Sequence, residues 1–150
     1  MIKKIVSVLI IMLVTLFAST VWTIRPDSFF ASTVYTVAGI MFSIGLGLIV
    51  TFNPSGVKNP AYLKSIRRNI SDVRDSFLIH FGLTTLYYIT NQYVAKFERV
   101  INFKDFISLH FSASIFLCLL MIYSSIYFIV NFIELQKLNN DIFDVVNREG

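Results

Sequence analysis

The stretch ISLHFSASIFLCLLMIYSSIYFIVNFI, residues 107–133, contains no Asp, Glu, Lys or Arg. A helix needs about 20 apolar residues to cross a hydrocarbon core about 30 Å thick, and this segment exceeds that length. Three further apolar segments precede it, at about 5–24, 35–52 and 77–95. The polar stretches between them are too short to enclose a water-soluble core of their own. The reading is an all-α, polytopic membrane bundle: a single membrane domain over 1–150 with four transmembrane helices and short cytoplasmic helical extensions.

Composition agrees. The chain is 55% hydrophobic and 15% charged, against roughly 25% charged in average soluble domains. Its one cysteine, Cys118, lies inside the fourth segment, so no disulfide framework exists. Orientation follows from the basic residues. Placing both termini and the central loop in the cytoplasm puts nine lysines and arginines inside and four outside, as the positive-inside rule demands. The chain is therefore expected to cross a membrane several times. Lys3-Lys4, an apolar run and Ala18-Ser19-Thr20 also fit a cleaved signal peptide. The run continues through Trp22 and Ile24, however, which gives full spanning length and favours a retained anchor.

The spans differ in character. Segment two carries Gly39, Ser43 and Gly47 at four-residue spacing. Such small residues let helix backbones approach closely, and in lipid close packing drives association. The stripe packs either within the chain or between subunits of a homo-oligomer. Segment three is the most polar, and His80, Thr84, Tyr87 and Asn91 recur on one helical face. Polar groups facing lipid tails are costly, so this face must meet protein or water. It either pairs with the band His110, Ser114, Cys118, Met121 and Ser125 of segment four or lines an aqueous pore.

Between segments two and three, Asn59 is a natural N-cap and Pro60 suits the first helical position. A cytoplasmic helix over 60–76 then places Leu63, Ile66, Ile70, Val73 and Phe77 on one apolar stripe, with Lys64, Arg67, Arg68 and Arg74 on the other flank. No breaker separates it from segment three. The basic flank suits anionic lipid head groups or a polyanionic ligand. After the fourth span, a tail helix over 134–148 sets Leu135, Leu138 and Ile142 on an a/d-like seam. That seam needs a partner: the basic helix, or the same tail in other subunits. The loop from Lys96 to Phe106 is rich in phenylalanine and is expected to rest on the outer interface.

Signatures of chemistry are missing from the sequence. It has no glycine-rich phosphate loop, no paired cysteines and no HExxH spacing. Asp and Glu are absent from all four segments, which argues against proton-coupled transport. The expectation is a protein that is not an enzyme and needs no cofactor or metal.

The stretch from Tyr35 to Asn53, YTVAGIMFSIGLGLIVTFN, followed by a basic helix rising into another span, resembles small multi-pass effectors of bacterial anti-phage defence. The layout is similar to RexB-type exclusion proteins and to the membrane effector of Hailong systems. The resemblance implies an oligomeric ion channel that depolarises the inner membrane in an abortive infection response. It also implies gating by a nucleotide or oligonucleotide made by a partner enzyme. On this reading His80, Thr84, Tyr87 and Asn91 line the pore, and Lys64, Arg67, Arg68 and Arg74 bind the ligand. Gly39, Ser43, Gly47, Leu135, Leu138 and Ile142 would form the subunit interface. The other class open to this sequence is a non-conducting membrane adaptor whose cytoplasmic helices dock a soluble partner.

The topology has a direct check. A cysteine at Ser55 should react with an impermeant thiol reagent from the cytoplasmic side only, and one at Ser28 from the opposite side only. Labelling of both from one side would remove the second span.

Overall fold

A computed structural model describes residues 2–21, 26–52, 54, 56–94, 96–103 and 107–148. It contains four helices and one β-hairpin: α1 (Ile2–Val21), α2 (Ser28–Thr51), α3 (Pro60–Val94), β1 (Glu98–Phe103), β2 (Ile107–Ser112) and α4 (Ala113–Arg148). The expectation at Trp22 falls outside the described residues, as do Asn53 and Ser55. Two helices are long and apolar enough to cross a membrane: α2, and Ala113–Asp144 within α4. The apolar run Val6–Val21 of α1 is shorter, and α3 does not qualify along its length.

Local chemistry fixes the helix boundaries. The Asp27 carboxylate accepts a hydrogen bond from Phe30 N at 2.7 Å, so α2 starts two turns before the expected Tyr35. Asp27 caps the second helix rather than closing the first. Asn59 Oδ1 accepts from Ala61 N and Tyr62 N at 3.0 and 3.3 Å, and Pro60 takes the first helical position. With no breaker after it, α3 runs unbroken for 35 residues, about 52 Å at 1.5 Å per residue. Likewise α4 carries the fourth span into the tail without interruption.

The hairpin corrects the expected start of the fourth span. Residues 107–112 form β2 and pair antiparallel with β1, from Glu98 opposite Ser112 to Phe103 opposite Ile107. Ile-Ser-Leu-His-Phe-Ser alternates apolar and polar, a strand period, so His110 lies on a strand and helix begins only at Ala113.

The chain forms two compact units. Unit 1 comprises residues up to Thr36 together with Leu83–Tyr123. In it α1 packs on β2, and two α1 hydroxyls close the strand's open edge. Thr20 Oγ1 accepts from His110 N at 3.2 Å while donating to Leu16 O, and Ser19 Oγ accepts from Ser112 N at 3.3 Å. An edge N–H without water needs such an acceptor. Ala18 and Ser19, read above as a possible cleavage site, are thus buried packing residues. Deeper in this unit Ala31, Cys118 and Met121 are enclosed by Val34, Tyr35, Tyr87 and Tyr88. Tyr35 stacks on Tyr88 at 4.5 Å and its hydroxyl lies 3.1 Å from Thr85 Oγ1.

Unit 2 comprises Val37–Gly82 and Ser124–Gly150. Its core is Ala38, Ile49, Phe77, Phe128 and Leu135, with Ile70, Val73 and Phe81 packed against it. The stripe predicted on residues 63–77 is the inward face: Ile66 and Phe77 are buried. Gly45 makes the closest approach in the unit. A Cβ there would run into the Phe77 ring, which is fully buried and meets Phe128 edge-on at 5.1 Å.

Gly45→Ala should therefore destabilise the fold by about 1–3 kcal/mol through overpacking. Gly47→Ala should be close to neutral, since no atom lies within 4 Å of a Cβ there. Thermal unfolding in detergent measures both, and equal midpoints for the two variants would dismiss the close contact.

Candidate functional site: the polar face of α3

The four residues of the predicted polar face occupy different environments. Thr84 is wholly buried and Asn91 is 4% exposed, while His80 and Tyr87 are half-buried. His80 lies in unit 2 and stacks on Tyr127 at 4.0 Å between ring centroids. Thr84, Tyr87 and Asn91 belong to unit 1, beside the tyrosines of its core. Here the polar face of α3 meets protein of its own chain. The predicted band on α4 is turned inward too, with Ser114, Cys118, Met121 and Ser125 all buried.

Unit 1 consequently has a polar interior. Thr15, Ser19, Thr84, Asn91, Ser112 and Ser114 are all buried there. Thr15 satisfies itself by donating to Ile11 O at 2.8 Å. Asn91 Oδ1 and Ser112 Oγ have no hydrogen-bond partner, and Ser114 Oγ has only the weak Cys118 thiol beside it. Leaving a buried acceptor unmatched costs about 1–3 kcal/mol. These atoms gain by meeting water, so the interior of unit 1 favours hydration over tighter closure.

The outside of α2 is arranged the other way. Thr33, Thr36, Ser43 and Thr51 are exposed, and each hydroxyl donates to the carbonyl four residues earlier at 2.9–3.0 Å. Such back-bonding hides the donor on an outward helix face. The predicted small-residue stripe is split between two environments. A Cβ added at Gly39 would lie 3.8 Å from the Phe81 ring, whereas Ser43 and Gly47 are exposed and a Cβ at Gly47 would meet nothing within 4 Å. The sequence did not distinguish Gly45, which takes the intrachain contact, from its neighbours.

The other predicted site residues lie in unit 2. Lys64, Arg67, Arg68 and Arg74 are exposed. Arg74 is bound by Asp75, through Nη2 at 2.8 Å and Nε at 3.0 Å, and also donates to Ser71. Lys64, Arg67 and Arg68 make no ion pair among the described residues. The tail residues Leu135 and Ile142 are buried and Leu138 partly so; of the two partners expected for the seam, the helix of residues 60–76 is the one it meets here, Leu135 packing with Ile70 and Val73. A cleft of about 320 Å³ between α3 and α4 is lined by Asn69, Asp72, Asn131 and Glu134 over Val73, Leu135 and Leu138. Its acidic wall suits no anion. Among the described residues no group of three or more His, Cys, Asp or Glu could hold a metal.

Compared with protein families, curated proteins and solved structures, the chain matches none.

With its intrachain role taken by Gly45, the Ser43–Gly47 face is the part of the stripe free to meet another helix. If that face joins subunits, Gly47→Leu should lower the particle mass measured in lipid nanodiscs without changing helical content. An unchanged mass would place any subunit contact away from α2.

Proposed function

We propose that this chain is a subunit of an oligomeric inner-membrane ion channel in which α3 carries the conduction path. In this reading α1, α2, the C-terminal part of α3 and the apolar part of α4 cross the bilayer, and both termini are cytoplasmic. The exposed surface supports embedding in lipid: Phe17 is 70% exposed, Phe29 78% and Val50 80%. Only 17% of the most apolar window of α2 is buried within the chain. A single chain in water would expose far more contiguous apolar surface than soluble monomers tolerate.

The observation that carries the channel reading is the buried polar face of α3 at Thr84 and Asn91, on which Asn91 Oδ1 is unmatched, within the polar interior of unit 1. An anchor has no use for it. In a channel it is the resting arrangement of a path that water enters on opening. Hydration then returns the hydrogen bonds the closed packing lacks, which lowers the cost of opening. In this topology the exposed cationic face at Lys64, Arg67 and Arg68 lies on the cytoplasmic side. A role in anti-phage defence, by membrane depolarisation, rests on the resemblance of residues 35–53 and would be tested by infection of cells carrying the wild-type or silent variants.

Thr84→Leu and Asn91→Leu should each cut ion flux into proteoliposomes about tenfold or more, by dewetting the path. Leu83→Ala, on the exposed side of α3, should leave flux intact. Cysteines at Thr84 and Asn91 should react with small aqueous thiol reagents only under conducting conditions. A wild-type protein that never conducts, with both positions unreactive, would make the chain a non-conducting adaptor.

A further inference from the structure

Within unit 2, α3 and α4 run antiparallel: Phe77 meets Phe128, and Ile70 and Val73 pack in the same core as Leu135. Counting along the two helices from these contacts brings Ile66 level with Ile142, and both are buried. Asp141 and Asp144 on α4 therefore stand at the height of Lys64 and Arg67 on α3, to within about one helical turn of 5.4 Å. All four are exposed, as is Arg68, and none makes an ion pair among the described residues. Lys137 lies on the tail one turn before Asp141 and leaves the acidic pair at its end.

We propose that Lys64, Arg67 and Arg68 of one subunit bind Asp141 and Asp144 of the next, so that the acidic tail end is the partner of the cationic face. The inference rests on the oligomeric membrane reading and adds the occupant of that face. Copies in one bilayer share height and orientation, so lateral neighbours oppose residues of equal height. Basic and acidic groups at one height are thus already in register. A contact that pairs the basic residues of one copy with the acidic residues of the next and is repeated head-to-tail closes into a ring where its rotation allows, the arrangement a central path needs.

The experiment is charge reversal and rescue in the full chain, reconstituted in neutral-lipid nanodiscs and sized by native mass spectrometry. Arg67→Glu with Arg68→Glu should lose the wild-type oligomer, and so should Asp141→Lys with Asp144→Lys. The four changes together should restore it, and 0.5 M salt should weaken the wild-type assembly. Circular dichroism checks that each variant keeps its helices. Two results overturn the proposal: either reversed pair keeping the wild-type mass, or the fourfold variant remaining dissociated while helical. In the second case the face serves another polyanion, such as lipid or a soluble ligand. A wild-type protein that is monomeric in nanodiscs sinks the oligomeric reading itself, and flux measured on the same samples separates that failure from this one.

Discussion

The seat of Phe77 over Gly45 is the contact on which unit 2 depends. Missing one side chain, α2 lets the aromatic ring of α3 lie against its backbone, and the ring then meets Phe128 and Tyr127 of α4. Three helices are thereby fixed by one residue. Dispersion is strongest where surfaces touch without gaps, and in lipid, where apolar transfer gains little, such contact is the main source of helix association. The Phe42–Phe81 stack at 4.2 Å extends the same seam. From that anchor the stripe Ile70, Val73 and Leu135 continues down α3 and α4, which is why the tail folds back on its own chain.

Unit 1 is held by a different constraint, the need to satisfy polar groups without water. The hairpin introduces backbone donors that a helix would have used internally, and Ser19 and Thr20 accept two of them. The tyrosines solve a related problem, since Tyr35 stacks flat on Tyr88 while directing its hydroxyl to Thr85. Asn91 and Ser112 are left without an equivalent solution.

Much of the helical framework was legible because its signals are local. Asn59-Pro60 and the apolar stripe after it give both the start of α3 and its inward face. The start of α2 was not legible, since Asp27 after Pro26 serves equally well as an end or a beginning. The hairpin was hidden by averaging: hydropathy over a span-length window conceals a six-residue alternation at Ile107–Ser112. The polar face of α3 was readable as a face, because periodicity assigns residues to one side. What that side meets depends on which helix lies against it. A four-residue spacing likewise marks Gly39, Ser43 and Gly47 without showing that Gly45, a half-turn away, makes the tight contact.

The two kinds of polar residue in the apolar helices differ in a way that separates packing from function. On α2 each exposed hydroxyl is closed onto its own helix by a carbonyl four residues back, so its presence costs little in lipid or at a helix contact. On α3 the Oδ1 of Asn91 has no such local outlet, because it is an acceptor and helical N–H groups are already used. A leucine there would remove the unmatched acceptor and add apolar contact. An arrangement that forgoes this gain keeps a polar group poised for water, and in a bilayer that implies either a partner or a path. On the proposed reading, the exposed charges of unit 2, at one height on α3 and α4, would let neighbouring copies set the spacing of such a path.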